Sequence, residues 1–431
     1  LTQESPYTPG VLVLGNYRAT LVVIRSLSSA GYRVILGVHG KRHGNDRSRF
    51  VDELWTHPPF DAKDGAFDAA LAAFVTRRGG IDAIVPVTEE AVVHFARRGD
   101  DRPAGALLAS VDARVVVICQ NKEELTALAL KANVPFARYA AVDDLSELSS
   151  AVADIGFPCV LRPLATSSRL LGKKALILKS ADELRRAMPK WPDGHRRLLV
   201  QRYLQAPRQN LYFVARDGEL VSCVQVTILR TDRADGTGLA VEGGTVPLDE
   251  RLRGYCAALV AGLGYSGVGC AQFLADPETN EVSFLEINPR LGANCAIVQS
   301  CGIDLPRCAL AIAAGESLDT CAVPNAYPSG RRYAWLYGDL AGLQHEVADR
   351  QIGLAGAGRW LMRAIWSSLR ADVHLTFSWR DPMPTLTLLA RRAVNLLHRP
   401  RPTRAHATAV DYNDDVGQLK AQRAEADRNS K

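Results

Sequence analysis

The chain has 431 residues, with 52 lysines and arginines against 46 acidic residues for a net charge of +6, and 47% of it is hydrophobic. A length of this order exceeds one usual core and implies roughly two to four domains. The mild charge is scattered rather than massed on one face, which excludes a general nucleic-acid binder and leaves anionic small molecules welcome.

In chain order, residues 11–14 read as a short apolar strand, followed by Gly15 and by a helical period through Leu21, Ile24 and Leu27 that stops at Gly31. Residues 34–38 are a second buried strand, 67–78 a helix and 81–87 another strand. Alternating strand and helix imply a parallel, doubly wound α/β sheet. The turn after the first strand lacks G-x-G-x-x-G, which counts against a nicotinamide enzyme. Thr88-Glu89-Glu90 lies at the carboxyl end of a strand, where such sheets bind ligands, and is a candidate for meeting an amine. His39 and His43 have no metal-ligand spacing and read as surface residues.

Residues 115–119 read as a short strand, and Asn121 then caps a helix with Glu124 at capping-box spacing. Residues 157–163 read as a strand, 164–172 as a Ser-rich loop and 173–178 as a strand. A strand at 198–204 precedes an antiparallel pair, 211–215 with 220–229, turning at Asp217-Gly218. Residues 230–245, rich in Gly and Asp, read as a mobile loop; 250–262 and 302–315 read as helices. From 331 to 398 the texture is mainly helical and rich in Trp and Arg. The stretch 399–431 is a polar tail with few large apolar residues.

Nine cysteines stand singly, at 119, 159, 223, 256, 270, 295, 301, 308 and 321, with no C-x-x-C. An odd count at low density suits reduced, buried thiols and a cytoplasmic protein. Cys295 and Cys301 flank a possible active-site segment, where one could be reactive, and read as structural thiols. Leu1 to Pro6 carry no charged or apolar leader pattern, and no stretch reaches spanning-helix length.

The richest stretch is Phe284-Leu-Glu-Ile-Asn-Pro-Arg290. Glu286 and Asn288 are two apart on a strand, so they point to one face. Pro289 then ends the ladder. A carboxylate and an amide oxygen at a strand end suit Mg²⁺, which takes few protein ligands and fills its shell with phosphate oxygens and water. Residues 269–275 form a preceding strand, which makes a hairpin with Gln272 near enough to Glu286 to share the metal.

These pieces in this order resemble the ATP-grasp superfamily, from about Val11 to Gly315, and most of all its carbamoyl-phosphate-synthetase-like branch, with a glutamine, a glutamate fourteen residues later and E-x-N-P-R. Residues 116–392, including Ser378-Trp-Arg-Asp-Pro-Met-Pro384, also look like a group of uncharacterised ATP-grasp enzymes. The resemblance implies a mixed α/β and α+β fold. It comprises a parallel α/β pre-ATP-grasp domain over 1–115, an ATP-grasp domain over 116–330 with a lid at about 140–200 and an antiparallel catalytic sheet at 201–330, and a helical extension over 331–398. It also implies ATP and Mg²⁺ as cofactors, with Mn²⁺ as an alternative. Gln272, Glu286 and Asn288 would hold the metal.

By the same resemblance, Lys122 at a helix start and Arg162 at a strand end would hold phosphates, the latter as a bidentate fork. Gln201, Arg202, Tyr203 and Leu204 match the hinge whose backbone reads adenine. Ser167 and Ser168 belong to the lid loop, where Ala165-Thr-Ser-Ser-Arg-Leu-Leu-Gly172 replaces the family's glycine-rich sequence, and Lys174, on the strand that follows, is a further cofactor-binding candidate. The usual ribose-binding acid is missing, and Gln209 is the nearest candidate. Arg290 would meet the acyl-phosphate or the carboxylate, with Arg230 as a second catalytic candidate and Gly292-Ala-Asn294 as an anion cradle.

The reading is an ATP-dependent carboxylate–amine or carboxylate–thiol ligase with an acyl-phosphate intermediate, acting on small molecules, with a homodimer left open. Its alternatives are a nucleotide-binding module without catalysis and, last, a membrane-associated protein, on the basic amphipathic segment 386–398.

Overall fold

Near-continuous Val, Ile and Leu runs belong in parallel strands covered on both faces, and the first such runs of this chain pair that way. The computed structural model describes residues 7–40, 44–62, 64–98, 105–163, 170, 175–190, 198–322 and 326–397. β1 (Gly10–Leu14), α1 (Arg18–Ser29), β2 (Arg33–Val38), β3 (Glu53–Thr56), α2 (Ala66–Arg78), β4 (Ala83–Pro86), α3 (Glu89–Arg98) and β5 (Leu107–Leu108) build a parallel sheet of order β3-β2-β1-β4-β5. Leu12, Leu14, Ile35 and Ile84 pack with Phe67, Leu71 and Phe74 of α2 and Phe95 of α3. Val11, Val13, Val34 and Leu36 pack instead with Val23, Ile24 and Leu27 of α1.

α4 (Ala113–Gln120) and α5 (Lys122–Lys131) lead to β6 (Tyr139–Val142), α6 (Leu148–Ile155), β7 (Cys159–Pro163), β8 (Leu176–Leu178), α7 (Ala181–Ala187) and β9 (Leu198–Arg202). The four strands make a small antiparallel sheet of order β6-β9-β7-β8. A third, seven-stranded sheet joins β10 (Arg208–Arg216), β11 (Glu219–Thr231), β12 (Ala240–Thr245), β13 (Gly267–Ala275), β14 (Val282–Asn288), β15 (Arg332–Ala334) and β16 (Val373–His374) in the order β14-β13-β10-β11-β12-β15-β16. α8 (Glu250–Leu263) lies on one face with α4 and α5, over Leu211, Phe213, Phe273 and Phe284. The other face, with Tyr212, Val226 and Cys270, shares a core with α1, α9 (Cys295–Gln299) and α10 (Leu305–Ala314). α11 (Leu336–Ala348), α12 (Leu354–Leu369) and α13 (Met383–Leu397) complete the chain.

Three readings need correction. Residues 115–119 are helical: Asp112 caps α4 by accepting from the Arg114 amide, and Val115, Val116 and Cys119 are buried while Val117 is exposed. That is a helical period rather than the alternation of a strand. Half of residues 230–245 is strand, at 230–231 and 240–245, and 232–239 turn between them, closed by the Asp232 amide on the Leu239 carbonyl at 2.9 Å. The glycines that suggested a loop sit where neighbours press in. A Cβ on Gly243 would meet the Tyr333 ring at 2.7 Å, and one on Gly244 the Arg331 carbonyl at 2.7 Å. The region after 331 is not only helical, since β15 and β16 extend the seven-stranded sheet. No described helix is long and apolar enough to cross a membrane.

Candidate functional site

Register sets up the central pair. β13 and β14 place Gln272 opposite Glu286 and Cys270 opposite Asn288. β10 adds Asn210 beside Gln272, so three polar side chains from adjacent strands lie in one row. Ile287 faces the α8 side, which turns Glu286 and Asn288 to the other face; Phe284 faces the α8 side as well because the β13–β14 register shifts at Leu285. The Asn288 amide donates to Glu286 Oε1 at 3.2 Å. Arg290 follows Pro289, with its Nη2 3.5 Å from Asn288 Oδ1 and 3.4 Å from Glu89 Oε2. Glu89 belongs to the Thr88–Glu90 segment, so the parallel sheet reaches the hairpin end.

The small sheet supplies the opposing side. On β7, Cys159 and Leu161 enter the core of that sheet with Leu198 and Val200 of β9. Alternation turns Val160 and Arg162, with Leu199 and Gln201, to the opposite face. From there Arg162 Nη2 lies 3.6 Å from Glu286 Oε2. Burial presses the Arg162 pKa down, and the Glu286 charge pushes it back up. Gln201 is buried, and its Nε2 has no hydrogen-bond partner among the described residues. An unpaired buried donor is costly and calls for an acceptor.

The other expected residues fall as follows. Lys122 is the first residue of α5, buried, behind an Asn121 cap that accepts from the Glu123 and Glu124 amides while donating to Glu124 Oε1 at 2.6 Å. The Arg202 side chain pairs with Glu281 of the hairpin. The Arg202 and Tyr203 amides donate to the Arg138 and Pro158 carbonyls at 2.9 and 3.1 Å. Leu204 is buried just beyond. Tyr203 has its pKa raised by burial, with Asp235 of the 232–239 turn adding to the rise. Gln209 registers with Phe273, on the α8 face. Its amide is held at 3.1 Å by both Thr227 and Gln225, so it points away from the Glu286 row. Ser167, Ser168, Lys174 and His43 lie outside the described residues.

Arg230 is also apart from the row. It is a strand residue, bonded at 2.7 Å to both Glu242 Oε2 and Asp339 Oδ2. Arg363 holds Glu242 at 2.7 and 3.0 Å, and the Trp360 indole donates to Asp339. Burial alone would raise the Glu242 pKa, but Arg363 and Arg230 outweigh it and hold it below the ordinary value. Cys295 is buried and its thiol is pushed up to about 12, which makes it inert, and all nine cysteines are free and buried. His39 packs against the rings of His57 and Phe60.

Reading the sequence missed Asn210, Arg208 and the role of Asn294. Asn210 and Asn294 are buried, each with an Oδ1 that has no hydrogen-bond partner among the described residues, and the same holds for Arg208 Nε. Asn294 donates to the Tyr333 hydroxyl at 3.0 Å. The available signal was an asparagine opening an apolar strand, a residue that strands disfavour. Among the described residues no three His, Cys, Asp or Glu side chains gather as a metal cage. A one-carboxylate Mg²⁺ site needs none.

Residues 121–321 match the model of the carbamoyl-phosphate synthase L chain ATP-binding domain. The chain is 28% identical over 217 residues to the N-terminal section of the carbamoyl phosphate synthase large chain of Methanopyrus kandleri, over 47% of this chain and 37% of that protein. It is 23% identical over 346 residues to the Thermotoga petrophila large chain, over 77% of this chain and 30% of that one. It thus spans well under two thirds of these relatives' length. Among solved structures, biotin carboxylase from Campylobacter jejuni in a β-γ-ATP complex aligns with a TM-score of 0.59 at 17% identity, covering 75% of this chain and 74% of that one. N5-carboxyaminoimidazole synthetase from Staphylococcus aureus aligns at 0.56 and 11%, covering 76% and 81%. At such identities these structures speak for the fold. Residues 121–321 are thus similar to the ATP-binding domain of carbamoyl-phosphate synthase large chains, and the chain has the fold of the biotin carboxylase and N5-carboxyaminoimidazole synthetase structures.

Proposed function

We propose that this chain is an ATP-dependent carboxylate–amine ligase that works through an acyl-phosphate and releases ADP and phosphate. One observation carries the reading: Arg162 from the small sheet meets Glu286 from the large sheet across 3.6 Å. The contact between the two sheets supports reading Arg162 as the phosphate-holding cation and Glu286 as the metal-holding carboxylate of one site. The match of residues 121–321 to an ATP-binding domain supports it.

The donor set fits Mg²⁺: one carboxylate, Glu286, with the amide oxygens of Gln272 and Asn288, all hard ligands. Bound there, the metal would neutralise charge on the triphosphate. Lys122 and Arg162 hold phosphate oxygens, and Ser167 and Ser168 of the lid loop, with Lys174 after it, are assigned to the same task. The hinge amides of Arg202 and Tyr203 are already engaged, so adenine recognition falls to the carbonyls there, the Leu204 amide and the unpartnered Gln201 Nε2. Gln209, turned to the other face, has no part in it, and neither has Arg230.

A carboxylate oxygen attacks the γ-phosphorus; the new O–P bond forms as the bond to the β-phosphate oxygen breaks and ADP leaves. The amine nitrogen then attacks the acyl carbon, the C–N bond forms and phosphate departs. Arg290 balances the charge of the acid and the acyl-phosphate. Glu89, next to Arg290, is the carboxylate at hand for the amine's proton. Catalysis rests on position and charge.

The second reading, an ATP-binding protein without catalysis, draws on Gln209: the one ribose candidate points elsewhere. ADP release with Mg-ATP and pooled carboxylates and amines separates the two, with hydroxylamine present to trap acyl-phosphate. ADP and hydroxamate formed by the wild type and lost in Glu286→Ala establish the ligase. Tight Mg-ATP binding with no ADP from any pool sinks it in favour of the binder.

A further inference from the structure

We propose that the outward face of α12 docks on an anionic lipid surface. The helix carries its apolar side toward solvent. Leu354 is 91% exposed, Leu369 78%, Met362 69%, Trp366 53%, Ile365 45% and Leu361 41%. At about 100° per residue these six fall within an arc of roughly 140°. Ala364 and Ser367, on the far side, are the buried residues of the helix. Arg359 and Arg370 border the apolar arc, and the Arg370 guanidinium lies 4.8 Å from the Trp366 ring centre.

Core helices hide such a stripe; here it is displayed. Ten of the nineteen exposed large apolar side chains among the described residues lie between 354 and 394, so the exposure is concentrated in the C-terminal helices. A contiguous displayed patch marks an interaction surface.

Charge names the occupant. Residues 350–392 hold seven arginines, no lysine and two acids, a net +5 out of the whole chain's +6. One of the acids, Asp381, is buried in an ion pair with Arg25, and one of the arginines, Arg363, is held by Glu242, which leaves the balance positive. A second copy meeting this face through a two-fold axis would set arginine-rich surface against arginine-rich surface. An anionic bilayer supplies the missing sign. Tryptophan, leucine and arginine on a helix too polar to span suit a position in the interface plane. The inference stands independently of the ligase reading.

The test is flotation of the full chain with phosphatidylcholine vesicles, with and without phosphatidylglycerol, beside analytical ultracentrifugation without vesicles. The wild type should float with anionic vesicles and roughly tenfold or more weakly with neutral ones. Met362→Glu/Leu369→Glu should abolish flotation with an unchanged melting temperature, because both positions are solvent-facing. Arg359→Gln/Arg370→Gln should weaken it and reduce its salt dependence. Failure of the wild type to float on anionic vesicles, or equal flotation of the glutamate pair, overturns the proposal. So does a concentration-dependent dimer that the glutamate pair abolishes, which assigns the face to a second copy.

Discussion

The seven-stranded sheet carries two arginine–carboxylate constellations built on different terms. At one edge, Glu286 has Arg162 at 3.6 Å and the Asn288 amide at 3.2 Å, and Arg290 reaches Glu89 only at 3.4 Å. Further in, Arg230, Glu242, Arg363 and Asp339 close at 2.7–3.0 Å, with Asp339 fully buried and Trp360 completing its shell. The tight network has its charges matched and hydrogen-bonded, the condition under which buried ions are tolerated. The edge set meets at longer distances. Under the proposed function, the same residue types serve as a clamp in one place and as a receptor in the other.

That contrast breaks if the two sets respond alike to substitution. Glu286→Gln should cut ADP release about a hundred- to a thousand-fold, the scale of losing one preorganised charge contact, while the melting temperature stays close to wild type. Calorimetry alongside turnover checks both halves; a large melting shift would make Glu286 a clamp too. Arg230→Met should show the reverse pattern. It leaves fully buried Asp339 without its cation, and Glu242 with Arg363 alone, and should cost about 3–5 kcal/mol in denaturant unfolding, with turnover of the folded fraction little changed.

Arg162→Ala sharpens the comparison by splitting kinetic constants. Loss of a charge-assisted phosphate contact should raise KM for ATP by roughly tenfold or more. Arg363→Ala, removing a cation whose side chain is 47% exposed, should cost only about 1 kcal/mol of stability and leave KM alone. The smallest effect is on pH. The folded-state pKa of Glu242 is held below its ordinary 4.5, so its contribution is present above that value and disappears as pH falls through the lowered pKa. Asp339 works in the opposite sense, since burial raises its pKa and its stabilising effect fades as pH rises through that raised value. The melting-temperature gap between wild type and Glu242→Gln should be widest near neutrality and narrow in acid.

Much of the clamp was illegible in the sequence, and much of the receptor was legible. Glu286, Asn288 and Gln272 are near in sequence and joined by a short turn, so strand alternation and a hairpin suffice to bring them to one face. Asn121 and Glu124 were readable for the same local reason. Arg230 looked like a loop residue because Gly236, Gly238, Gly243 and Gly244 surround it, yet two of these are strand glycines that make room for Tyr333 and Arg331. Its partner Asp339 lies 109 residues away, and no periodicity reports such a pairing. The 115–119 segment misled because a short apolar run fits a strand and a buried helix equally well. Gln209 was placed by proximity in sequence, and strand alternation put it on the wrong side.

The most direct test of the central claim is Mg²⁺-dependent ATP binding by isothermal titration, comparing wild type with Glu286→Gln. The account predicts that wild type binds ATP far more tightly with Mg²⁺ than without, and that the variant, still folded, loses that dependence. Equal affinity and equal Mg²⁺ dependence in the two proteins would contradict it and remove Glu286 from the nucleotide site.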